Sequence, residues 1–244
     1  MSAKTKIVID GISKGFGALK VVDNVTFDVA DGEFVAIVGP SGCGKSTLLN
    51  IIAGFERQDQ GAIRIDGVER IGPSRNGIMI SQHGSVFPWL TVQQNIMFGL
   101  TGASDRERKD RADRYLAMVG LAGFEAAYPH ELSGGMLKRV EIARALVVKP
   151  EILYMDEPFS ALDALMSLRM QTELRRILEE ERHTVLLITH DVEEAIFLAD
   201  RILVLSARPT TIQTIFHIDL PHPRKLSHPK AQELREVLLK ELGL

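Results

Sequence analysis

The spacing of apolar and polar positions changes rhythm several times along the chain, and each change predicts a different element. Residues 5–10 (TKIVID), 24–30 (NVTFDVA) and 34–39 (FVAIVG) are short and rich in Val, Ile and Phe, with Asp-Gly turns such as Asp31-Gly32 between them. Such runs predict strands. Residues 45–54 (KSTLLNIIAG) predict a helix that stops at Gly54, and Asp66-Gly67 predicts a hairpin joining 62–65 to 68–70. From Thr91 to about Pro150 the spacing turns helical: Thr91 caps 92–100, Ser104 caps 105–120, and 134–148 form a third helix. Strand runs return at 151–157 (EILYMDE) and 184–190 (TVLLITH), each followed by a helix, 161–181 and 191–200. Asp191 and Glu194 predict a capping box for the last of these. Final strands are expected at 201–207 and 210–218, then a proline-broken link from Pro221 to Pro229 and a short charged helix.

Strands alternating with helices imply an α/β fold with a largely parallel sheet, interrupted by a helical insertion. The expected division of this single domain is an α/β core (1–90 and 150–220), a helical subdomain (91–149) and a C-terminal tail and helix (221–244).

The densest chemistry lies between the third strand and the first helix. Gly39, Pro40, Ser41, Gly42, Cys43, Gly44, Lys45, Ser46 and Thr47 satisfy G-x-x-x-x-G-K-[ST]. Glycines let successive N–H groups point at one anionic centre, and the following helix N-terminus adds partial positive charge. Lys45 can reach β- and γ-phosphates, and the Ser46 hydroxyl can ligate Mg²⁺. This loop is built for a nucleoside triphosphate. Cys43 is read as a small residue tolerated there, and a bulky thiol reagent on it is expected to block nucleotide binding. Asp156 and Glu157 end an apolar strand and leave it in different directions, so the first suits a Mg²⁺ shell and the second the polarisation of an attacking water. Ser133, Gly134 and Gly135 precede a helix carrying Lys138 and Arg139, a second site for an anion. Gln82 and His190 carry little meaning alone.

Taken in order, these pieces resemble the ATP-binding subunit of ABC transporters, over about Ile7 to Arg224. The matching segments are GPSGCGKST as Walker A, Gln82 as the Q-loop, LSGGM as the signature, ILYMDEP as Walker B, Ser160 to Asp163 (SALD) as the D-loop and His190 as the switch histidine. The resemblance implies a P-loop NTPase of the ABC ATPase type: a mostly parallel RecA-like sheet with an N-terminal antiparallel β subdomain and an inserted helical subdomain. It implies ATP and Mg²⁺ as cofactors. Phe16 would stack on adenine, and Lys45, Ser46 and Thr47 would bind phosphate and metal. Asp156 and Gln82 would complete the Mg²⁺ and water shell, Glu157 would be the general base, and His190 would contact the γ-phosphate. Ser133, Gly134 and Gly135 would act in trans, across a head-to-tail dimer of identical or paralogous subunits. The usual fifth signature residue is Gln, here Met136, which removes one amide near the nucleotide.

The segments SGGM, KRVEIARAL, FPWLTVQQNI and SARP look most like the subgroup serving nitrate, sulfonate and taurine importers. That likeness implies a peripheral location on the cytoplasmic face of the cell membrane, docked on integral permease subunits and served indirectly by a solute-binding protein. Val86, Phe87, Pro88, Trp89 and Leu90 are a candidate permease contact, with packing of the helical subdomain by Trp89 as the alternative. With the sequence ending at Leu244, the extra C-terminal regulatory domain that some importers carry is not expected. A net charge of −3 argues against a uniformly basic nucleic-acid surface, and no apolar run approaches the roughly 20 residues that span a bilayer. The single cysteine permits no intrachain disulfide. A soluble ABC-type ATPase of repair, translation or cofactor assembly is the competing reading, and a nucleotide-binding scaffold without turnover is a third. His217, His222 and His228 are read as solvated side chains and not as a metal site.

Overall fold

A computed structural model describes residues 4–243. In chain order the elements are β1 (Thr5–Phe16), β2 (Leu19–Ala30), β3 (Phe34–Val38), α1 (Lys45–Ala53), β4 (Gln60–Ile65), β5 (Val68–Glu69), β6 (Gly77–Ile80), α2 (Val92–Met97), α3 (Asp105–Met118), α4 (Gly134–Leu146), β7 (Ile152–Asp156), α5 (Ala164–Glu180), β8 (Thr184–Ile188), α6 (Val192–Leu198), β9 (Arg201–Leu205), β10 (Ile212–His217) and α7 (Pro229–Glu241). The strands divide between two sheets. A four-stranded antiparallel sheet has the order β2-β1-β4-β5, and a six-stranded sheet the order β10-β9-β3-β8-β7-β6. The second is parallel except at the β10 edge.

β3, β7 and β8 are buried along their whole length, as expected for parallel strands covered on both faces. Their side chains alternate between two cores. Ala36, Leu153, Met155 and Leu187 face the core shared with α2 to α7. Val35, Ile37, Ile152, Tyr154 and Leu186 face the core shared with α1 and the antiparallel sheet. Val92, Ile96, Leu116 and Val140 of the helical segment are continuous with the first core, so this segment is packed onto the sheet by burial of apolar surface.

Several elements depart from the sequence reading. β1 and β2 run well past residues 5–10 and 24–30, because bulges between Ile9 and Lys14 break the strict alternation without ending the pairing. β6 fell outside the expected strands: four residues, GIMI, are too short to show a period. α5 starts at Ala164 and not at 161, since the Asp163 side chain accepts the Met166 N–H and caps it there. Asp191 does cap α6, but Glu194 does not reach back. Its carboxyl is buried and accepts the Thr189 hydroxyl at 2.6 Å. α1 stops at Gly54 as expected, in a left-handed conformation where an added Cβ would lie 2.4 Å from the Gly72 carbonyl carbon.

Candidate functional site

The phosphate loop leaves β3 at the carboxyl end of the parallel sheet, the edge where ligands bind in open α/β folds. No side chain caps the N-terminus of α1, so its first N–H groups face the loop's concavity. Gly44 has φ 122°, and a Cβ there would lie 2.7 Å from Val21 Cγ1. The Lys45 ammonium lies inside the loop and donates to the carbonyls of Gly39 at 2.8 Å and Pro40 at 2.9 Å. Cys43 points the other way, into the core beneath the loop, with 2% of its surface exposed. A thiol reagent therefore reaches it only when the loop opens.

β7 delivers Asp156 beside this loop. Its carboxylate is buried, accepts the Ser46 hydroxyl, and leaves Oδ1 without a hydrogen-bond partner. Burial pushes the Asp156 carboxyl up, against the Ser46 hydrogen bond that lowers it. A buried, unpartnered carboxylate oxygen next to a hydroxyl at the mouth of an anion cradle fits Mg²⁺, which takes oxygen ligands. Glu157 adopts φ 48°, a left-handed conformation rare for Glu, and its N–H is held by the Ile188 carbonyl at 3.0 Å. The side chain, 19% exposed, is met there by groups from two other segments. Gln82 Nε2 stands 3.2 Å from Glu157 Oε2, and His190 Nδ1 stands 3.4 Å from Oε1. β7 and β8 pair in register up to Asp156 and Ile188, so His190, two residues on, arrives on the same side.

The cleft so formed has a volume of about 490 Å³ and is lined by Phe16, Ser41, Lys45, Ser46, Thr47, Gln82 and Glu157 among others. Phe16 is 49% exposed at the end of β1, so its ring is not a buried strand-end side chain. Arg208, between β9 and β10, also lines the cleft. It was not legible as a site residue, because only the approach of two distant segments puts it there.

Ser133 caps α4, its hydroxyl accepting the Met136 N–H at 3.3 Å. Ser133, Gly134 and Gly135 do not line the cleft of their own chain. Gly135 packs against the D-loop, where an added Cβ would lie 3.2 Å from the Ala161 carbonyl oxygen. Lys138 and Arg139 do not serve the anion site expected of them. Lys138 is buried and donates to the Ser81 carbonyl at 2.6 Å, with Glu141 at 3.3 Å. Arg139 donates to the carbonyls of Val119 and Gly120. Met136 packs on the larger core. Gln82 lines a second groove of about 350 Å³, which Val86, Pro129, Gly134 and Lys138 help to form.

Trp89 is 70% exposed and packs only loosely, 5.5 Å from the Phe87 ring, which lies 4.5 Å from Phe98. It is therefore not a core residue of the helical segment. His222 is mostly buried beside Asp200, contrary to the solvated side chain expected. His217 ends β10 and His228 caps α7. Among the described residues, no cluster of three His, Cys, Asp or Glu side chains could hold a metal ion, and no helix is long and apolar enough to cross a membrane.

Comparison with known proteins places this geometry. A family model described as ABC transporter matches residues 22–160, more than half of the chain. The aliphatic sulfonates import ATP-binding protein SsuB of Bacillus cereus (strain ATCC 10987 / NRS 248) is 43% identical over 239 residues, covering 96% of this chain and 95% of that protein. A protein of Brucella abortus described only as ATP-binding is 48% identical over 223 residues, covering 91% of this chain and 86% of its own length. The dimeric structure of MJ0796, a bacterial ABC transporter cassette, superposes with a TM-score of 0.80 at 32% identity, covering 88% of this chain and all of that one. A post-hydrolysis dimer of the same cassette, bound to ADP and Pi, gives 0.79 at 31% identity over the same coverage.

Proposed function

The chain belongs to the ABC transporter ATP-binding family, and from that premise we propose that it energises a small-solute importer as a head-to-tail dimer docked on membrane permease subunits. It is an ATPase, with ATP and Mg²⁺ as its cofactors. The finer assignments are the proposal. Phe16 stacks on the adenine, and the N–H groups of residues 39–47 and the Lys45 ammonium hold the phosphates. Ser46, Asp156 and Gln82 would hold Mg²⁺, which would supply positive charge to offset that of the phosphates. Glu157 takes a proton from water as its oxygen attacks the γ-phosphorus, and ADP leaves on the opposite side. Gln82 and His190, both within hydrogen-bonding or ion-pair reach of that carboxylate, orient the water and the transferred phosphoryl group.

One observation carries the dimer: the N-terminus of α4, with Ser133, Gly134 and Gly135, is absent from the cleft of its own chain. A hydroxyl and free N–H groups built for an anion then serve the nucleotide of a second copy. The dimer of a related cassette supports this reading. The exposed Trp89 and its neighbours, of which Val86 lines the groove beside Gln82, are the surface proposed for the permease. The solute proposed is a small one of the nitrate, sulfonate or taurine kind, and similar proteins named for the import of aliphatic sulfonates support the sulfonate member of that set. The location proposed is peripheral, at the cytoplasmic face of the cell membrane.

Light scattering of a Glu157→Gln variant tests the dimer. ATP and Mg²⁺ are expected to convert monomer to dimer, and adding Ser133→Ala is expected to weaken that conversion. A dimer that forms equally well in the double variant would remove Ser133 from the seam. Uptake of radiolabelled sulfonate by a strain lacking this chain, with and without Trp89→Ala, tests the transport role.

A further inference from the structure

We propose that Arg208 is a nucleotide-binding residue, a second cation that grips the phosphate tail from the side opposite Lys45. Its position is built. The loop between β9 and β10 closes on itself where the Thr211 N–H donates to the Ser206 hydroxyl at 2.9 Å and the Ser206 N–H to the Thr211 carbonyl at 3.0 Å. Thr210, fully buried, then ties that loop in two directions. Its hydroxyl donates to the Cys43 carbonyl inside the phosphate loop. Its own N–H donates to Val21 at 2.8 Å, and its carbonyl accepts from Asp23 at 2.9 Å. The backbone carrying Arg208 is thus fastened both to the phosphate loop and to β2.

The side chain uses that anchorage. A Cβ placed on Gly42 would lie 3.1 Å from Arg208 Nη2, so the guanidinium sits over the tip of the phosphate loop in room that a glycine leaves. Arg208 is exposed, and among the described residues its guanidinium has no hydrogen-bonding or acidic partner. Lys45 and Arg208 are the two cationic side chains lining the cleft, and the Lys45 ammonium is held deep in the loop by two carbonyls. A triphosphate brings several negative charges to this place. A planar guanidinium matches phosphate oxygens with paired N–H donors, which an ammonium cannot do. The apolar lining of the same cleft, Phe16, Leu19 and Val21, carries no charge to offer a phosphate.

The inference rests on the phosphate-loop reading of residues 39–47, so the test separates the two. In the full-length Glu157→Gln protein, which spares the nucleotide, calorimetric titration with MgATP and MgADP gives Kd for the parent and for added Arg208→Ala, Arg208→Lys and Lys45→Ala. Arg208→Ala is expected to weaken MgATP about tenfold. Arg208→Lys should recover part of the loss, and the loss should shrink in 0.5 M salt as the charges are screened. Equal losses for MgATP and MgADP would put the guanidinium on the α- or β-phosphate, and a loss for MgATP alone would put it on the γ-phosphate. Binding within about twofold of the parent would overturn the proposal, as would Lys and Ala variants that are equally impaired. If Lys45→Ala also binds like the parent, the phosphate-loop reading fails and Arg208 falls with it. Unchanged melting curves for the Arg208 variants would show that the affinity loss is local.

Discussion

Lys45 sets its ammonium inside the phosphate loop, on the carbonyls of Gly39 and Pro40, where a phosphate would meet it. Lys45→Ala is therefore expected to cost ATP binding at least about tenfold while leaving the fold intact, read by nucleotide titration beside a melting curve. Glu157→Gln should lower turnover by about a hundredfold or more with little change in ATP affinity, because the proton acceptor goes and the cradle stays. A quieter carboxylate is Glu194, buried behind the His190 segment and raised by burial from 4.5 to about 8. The sign follows from linkage. The neutral carboxyl contributes stability that is complete below about pH 4.5, falls as pH rises, and is lost by about pH 8. Glu194→Gln should thus gain on the wild type in urea midpoint between pH 6 and pH 9, and a constant difference would refute this.

Among elements, α4 does more than present Ser133. Its buried Lys138 and Glu141 clamp the chain on either side of Gln82: Lys138 donates to the Ser81 carbonyl, and Glu141 accepts both the N–H and the hydroxyl of Ser85, the latter at 2.7 Å. Arg144, also on α4, donates to the Ser85 hydroxyl. Glu141→Ala would strand Lys138 and the Ser85 N–H together, and a loss of about 3 kcal/mol is expected by denaturant unfolding, since removing one partner of a buried pair is the costly change. None of this clamp was visible in the order of residues, where Lys138 read as a surface charge facing an anion. The phosphate loop and the Asp156-Glu157 strand end were visible, because their chemistry is contiguous and flanked by long apolar runs. β6 was invisible for the opposite reason: Gly77 to Ile80 pair with β7 over four residues, and nothing local marks so short a strand.

At the level of the whole molecule, the central strands hold the two cores together. Neighbouring residues of β7 enter opposite cores, Leu153 and Met155 one, Ile152 and Tyr154 the other, so neither can melt and leave the sheet in place. One calorimetric transition is expected, with van't Hoff and calorimetric enthalpies in agreement. Saturating MgATP should move that transition as a unit. At about a hundredfold excess over Kd, linkage contributes about 2.7 kcal/mol, or roughly 5–10 °C for a chain of this size. A split endotherm would show that the helical segment unfolds alone. The parallel sheet was legible from alternating strands and helices. The parting of β1, β2, β4 and β5 into a separate antiparallel sheet became specific only through resemblance, since it depends on which strands meet and local pattern is silent on that.

The lone thiol at Cys43 is a built-in clock for nucleotide occupancy. Sealed from reagent by the very backbone that wraps the ligand, its labelling rate counts the moments when that wrapping lifts, and a filled cradle should make it tick more slowly.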